Sequence, residues 1–166
     1  LAALATDPRR RRRWIVGATA LAAAIAAFGT WAVVRDRGPS PCEGSERELE
    51  GVWDDDVRGQ VQRAFVATQA PYADDAWQGT ARQLDAFAGD WVRMHRQVCE
   101  ASVSDKSDES PELLGHKMVC LGQRLTELEQ LTKLLTDADA DMVSRAVVAA
   151  GSLGSVESCD DARALL

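Results

Sequence analysis

"SPELLGHKMVCLGQRLTELEQLTKLL", Ser110 to Leu135, decides the fold. Ser110 is placed to cap a helix, and Pro111 to be its first residue, where a missing N–H is no loss. Leu114, Met118, Leu121, Leu125, Leu128 and Leu135 follow at helical spacing and gather on one face. An amphipathic helix of this length has to lay that face against other helices.

Such partners stand on both sides. Upstream, Leu49, Trp53, Val57, Val61, Ala64, Phe65 and Thr68 make one stripe, ending at "QAPY". Asp74 and Asp75 lead into a second, through Trp77, Ala81, Leu84, Ala88, Trp91, His95 and Val98. The polar loop "ASVSDKSDESPE" separates it from Ser110 onward, and after "TDADAD" a shorter stripe carries Val143, Ala146, Val147, Ala150 and Leu153. The pattern predicts four helices, at about 46–68, 74–101, 111–136 and 140–154, and no strand. Short or polar turns make neighbours antiparallel, so the expected fold is all-α, a small antiparallel helical bundle.

A different kind of segment precedes it. Arg9, Arg10, Arg11, Arg12 and Arg13 run into 21 uncharged residues, Trp14 to Val34, which Arg35 and Arg37 close. At 1.5 Å per residue that stretch spans about 31 Å as a helix, close to the hydrocarbon thickness of a bilayer. Trp14 and Trp31 stand near its ends, at headgroup depth. The arginine bias predicts a single transmembrane helix with its N-terminus in the cytoplasm and residues 35–166 outside, in the periplasm of a cell with an inner membrane. A cleaved signal peptide fits less well, because the run is long and Trp31, Val33 and Val34 make a poor cleavage site. Ala18, Ala22, Ala26 and Thr30 form a small-residue row along one face, a seam through which two spans could pair as a homodimer. The expected organisation is a basic juxtamembrane segment (1–13), the span (14–34), a linker (35–45) and an exterior bundle (46–166).

Charge follows the same division. The formal net charge is -7, yet residues 1–37 hold seven arginines against Asp7 and Asp36. The excess of acid therefore lies in the body, which would repel phosphates and argues against a nucleic-acid partner.

All four cysteines follow the span. Outside the cytoplasm an even number points to disulfides, with three connectivities available. Residues equidistant from a helix turn lie level across an antiparallel pair. Cys42 and Cys99 are centred on Ala70-Pro71, and Cys120 and Cys159 on "TDADAD". The expected bridges are Cys42–Cys99 and Cys120–Cys159, each contributing about 3–4 kcal/mol by restricting the unfolded chain. The alternative is zinc: His95/Cys99 and His116/Cys120 each place a histidine and a cysteine on one helix face. It leaves Cys42 and Cys159 unpaired, and an oxidising compartment favours bridges, so no metal is expected.

Motifs for catalysis are missing. "DADAD" at Asp137, Asp139 and Asp141 begins like a calcium loop, but Met142 and Val148 stand where glycine and glutamate are needed. Asp54, Asp55 and Asp56 read as solvated helix surface. There is no phosphate-binding loop, dinucleotide fingerprint or nucleophile elbow, and no serine has a histidine partner suggested by spacing. These residues are not expected to form an enzyme.

The segments "LAALATDPRRRRRW", "PCEGSERELEGVWDDDVRGQVQRAFVATQAPYADDAW", "LDAFAGDWVRMHRQVCEA", "SPELLGHKMVCLGQRLTELEQLTKLL" and "SCDDARAL" together resemble one family region. It is the juxtamembrane, transmembrane and exterior linker of bacterial transmembrane serine/threonine protein kinases with C-terminal tetratricopeptide repeats. The most specific features are the Cys-to-Gly-Val-Trp opening, the Met-Val-Cys-Leu core and the order of the cysteines. His116 departs from the pattern, which more often has arginine there. The resemblance implies a kinase domain before Leu1, using ATP and Mg, and repeats after Leu166. The 166 residues themselves contain no Gly-rich loop, HRD or DFG, so they carry no kinase residue and need no cofactor. A start at Leu1 fits a chain cut from something longer. The resemblance also implies signalling through an exterior ligand or protein partner. Without the kinase, the chain would be a membrane-anchored exterior binding domain.

Overall fold

The computed structural model describes residues 42–161, which belong to a compact unit beginning at Cys42. The predicted span, with Arg9 to Arg13, Trp14, Trp31 and the Ala18, Ala22, Ala26 and Thr30 row, lies outside the described residues. Among the described residues no helix is long and apolar enough to cross a membrane.

Four α-helices and two 3₁₀ turns make up the described residues, with no strand among them. A 3₁₀ turn, Ser45–Leu49, precedes α1 (Asp55–Ala67), α2 (Ala73–Val103), α3 (Pro111–Thr136) and α4 (Ala140–Gly151), and a second, Glu157–Asp160, follows. Local chemistry sets most of the boundaries. The Ser110 hydroxyl accepts from the Leu113 N–H and Pro111 opens α3; the Asp139 carboxylate accepts from the Met142 N–H and opens α4. Gln69, with φ 55, turns the chain out of α1 in the left-handed region.

The first predicted helix needs correction. Leu49, Trp53 and Val57 keep helical spacing, but Gly51 at φ 74 breaks the backbone between them. The helix starts at Asp55, not 46, because the Asp54 side chain accepts from the Val57 N–H at 2.9 Å and from the Gly51 N–H at 2.7 Å. Asp54 is therefore a cap and not mere solvated surface. Leu49 and Trp53 still reach the core from the turn, so the stripe is right about burial and wrong about backbone.

Two hydrophobic clusters divide the bundle along its length. The far cluster joins α1, the first half of α2, the second half of α3 and α4, through Val61, Phe65, Leu84, Leu128, Leu135 and Val143. Phe65 meets Trp77 edge-on at 6.2 Å, an aromatic contact that adds about 0.5–1.5 kcal/mol beyond its buried area. Close approach of α2 to α4 requires Gly79, where an added Cβ would stand 2.8 Å from a Val147 methyl. The near cluster joins the second half of α2, the first half of α3 and the C-terminal turn, through Trp91, Val98, Leu114, Leu121, Val156 and Cys159.

Candidate functional site

The near end of the bundle concentrates the chemistry. Cys42, the first of the described residues, and Cys159, near the last of them, both lie here, each tied to a long helix. Cys42 is bonded to Cys99 of α2 with Cα atoms 5.6 Å apart. Cys159 is bonded to Cys120 of α3, also at 5.6 Å. The C-terminal 3₁₀ turn that delivers Cys159 had no apolar stripe to announce it.

Around the first bridge, the Ser45 hydroxyl donates to the Cys42 carbonyl at 3.3 Å and lies 3.0 Å from His95 Nδ1. The imidazole stacks on Trp91, with ring centres 4.7 Å apart. Burial holds His95 below the ordinary histidine range, against the charge of Glu48, which raises it. Arg96 pairs with Glu46 over the same turn. A serine–histidine pair thus exists where spacing suggested none. The Ser45 hydroxyl is buried, has a carbonyl within hydrogen-bond reach, and lines neither of the two clefts described below. Its role is to hold the N-terminal turn on α2.

Around the second bridge, Lys117 is only 3% exposed and sends its ammonium to Glu109 and Asp160, each at 2.6 Å. Burial pushes this lysine towards losing its proton, but the hydrogen bonds and charges of Asp160 and Glu109 outweigh that and hold it above its usual value. One cation therefore fastens the 104–110 loop and the C-terminal turn to α3. Lys117 was missed in the sequence. The signal available was its position between Leu114 and Leu121, on the apolar face.

A cleft of about 370 Å³ opens beside this cluster, lined by Ala101, Ser104, Glu109, Leu114 and Met118 among others. A shallower groove of about 410 Å³ lies at the far end, between Tyr72, Asp75 and Val147. There the Tyr72 hydroxyl donates to the Ala140 carbonyl at 3.0 Å.

The zinc alternative loses its ligands in this arrangement. Cys99 and Cys120 are bonded to Cys42 and Cys159, and His116 is exposed. Among the described residues no three His, Cys, Asp or Glu side chains stand together as a metal site. The geometry holds, positions and staples. No protein family, curated protein or solved structure matches the chain.

Proposed function

We propose that the chain is the membrane-anchoring and linker region of a transmembrane serine/threonine protein kinase, joining a cytoplasmic kinase domain to an exterior repeat domain. Residues 14–34 cross the inner membrane once, with Arg9 to Arg13 on the cytoplasmic side and residues 35–166 in the periplasm. The small-residue row of the span pairs two copies, and an exterior partner acts by changing that pairing. Catalysis, with its ATP and Mg, belongs to the kinase domain and not to these residues.

The observation that carries this reading is the pair of bridges. Both cysteine pairs are joined and no described cysteine is free, which supports an oxidising compartment for residues 42–161. The arginine-led uncharged run beforehand supports a membrane between that compartment and the cytoplasm. A reporter enzyme active only in the periplasm, fused after Leu166, is expected to be active. Activity of a cytoplasm-only reporter at the same position overturns the topology. Reading the coding sequence upstream of Leu1 then tests the kinase: a Gly-rich loop, HRD and DFG in frame are expected, and a start codon close by would refute it.

A further inference from the structure

Cys42 and Cys159 stand near the two limits of the described residues, and each is covalently fixed to the near end of a long helix. The covalent path between them does not follow the sequence. Of the 117 residue steps from Cys42 to Cys159, the first bridge bypasses 57 and the second 39, leaving 21, from Cys99 to Cys120. Those 21 steps are the end of α2, the 104–110 loop and the start of α3.

We infer that tension applied across the domain is carried by the Cys99–Cys120 hairpin alone, and that the bundle responds as an extension-limited peg. The bridges make two closed halves, one containing α1 and α2, the other the rest of α3, α4 and the C-terminal turn. A pull on the two ends separates the halves at the near cluster first. The contacts it must break there include the Trp91 indole N–H to the Leu121 carbonyl, 2.8 Å, the apolar packing of Trp91 and Val98 on Leu114, Leu121 and Val156, and, as the hairpin extends, the Lys117–Glu109 pair. The far cluster lies inside the two closed loops and bridges them, so it serves as the hinge. The loop between Cys99 and Cys120 is the stop. At about 3.6 Å per extended residue its 21 steps permit at most about 75 Å, however hard the ends are pulled.

The mechanical property concerns residues 42–161 themselves. Only its use, passing an exterior load to a membrane span without unravelling, rests on the linker function proposed above. The test is to pull the full chain in a lipid nanodisc or detergent micelle between handles attached just before Cys42 and just after Cys159, and to measure the contour length released as the bundle opens. The oxidised chain is expected to release no more than about 75 Å from this region. Reduction by dithiothreitol should raise the free path to all 117 steps, about 420 Å. Cys120→Ser with Cys159→Ser leaves only the first bypass and a path of 60 steps; Cys42→Ser with Cys99→Ser leaves only the second and 78. Trp91→Phe should lower the opening force at unchanged length. An oxidised release well above about 75 Å refutes the inference, even if the cysteine variants fail to fold. So does a release from the 60-step variant that exceeds that of the 78-step one. A failed topology test leaves all these lengths unchanged, so the two proposals fail separately.

Discussion

Trp91 donates its indole N–H to the Leu121 carbonyl, 2.8 Å away, and so joins α2 to α3 at the centre of the near cluster. The ring is 1% exposed, so neither the hydrogen bond nor the packing can be replaced by water. Trp91→Phe keeps an aromatic ring and removes the donor, and is expected to lower stability by roughly 1–2 kcal/mol. Trp91→Ala adds a cavity and should lower it by about 3–5 kcal/mol. Urea denaturation of the oxidised protein measures both. Equal effects would mean that the ring's volume carries nothing.

Two helix glycines should answer alanine in opposite ways. At Gly79 the new methyl meets a Val147 methyl at 2.8 Å, forcing α2 from α4 at a cost of about 1–3 kcal/mol, set against a helix-propensity gain below about 1. At Gly89 nothing lies within 4 Å, so Gly89→Ala should raise stability by about 0.5–1 kcal/mol. Melting temperatures moving in the same direction for both would contradict the packing.

The Lys117 cluster is asymmetric, because the cation is buried while Glu109 and Asp160 retain 38% and 51% exposure. Lys117→Met leaves two carboxylates that water can serve and puts an apolar chain in an apolar place, and its effect should stay within about 1 kcal/mol. Glu109→Gln with Asp160→Asn strands a buried ammonium and should cost on the order of 2–4 kcal/mol. The folded-state lysine is held above its ordinary value of 10.5, so its contribution is complete below that pH. It is lost as the pH rises through the higher folded value. The wild type should therefore weaken more steeply at strongly alkaline pH than Lys117→Met does.

Asp54 makes the opposite pH prediction. Hydrogen bonds from the Val57 and Gly51 N–H groups hold its carboxyl below the ordinary 3.8. Its stabilisation is present above that pH and disappears as the pH falls through the lower folded value. Asp54→Ala should cost about 1 kcal/mol near neutrality, and the gap from wild type should close in strong acid. A gap that persists there would show that the cap acts without its charge.

What the sequence discloses depends on how local each cause is. The start of α3 is legible because Ser110 and Pro111 act on their own turn. The all-helical class is legible because apolar spacing repeats over four stretches. The onset of α1 is hidden: Leu49, Trp53 and Val57 keep the helical rhythm across a backbone break whose only local mark is Gly51. The Ser45–His95 and Lys117–Asp160 pairs are hidden for another reason, since their partners stand 50 and 43 residues apart. Nothing in either neighbourhood names the other. A lysine interrupting the Leu114–Leu121 face was a visible anomaly, but only the fold supplies its counter-charges.

The stacking of His95 on Trp91 also has an optical meaning. A protonated imidazole accepts an electron from an excited indole, whereas the neutral ring does so poorly. Because the two rings lie 4.7 Å apart, nearly parallel at 19°, the emission of Trp91 should dim as His95 gains its proton. Burial places that change on the acid side of ordinary histidine titration. Comparing wild type with His95→Gln isolates it from the other tryptophans. The fluorophore packs in one cluster with Cys120 and Cys159, so the protein carries its own lamp at the stapled end of the bundle.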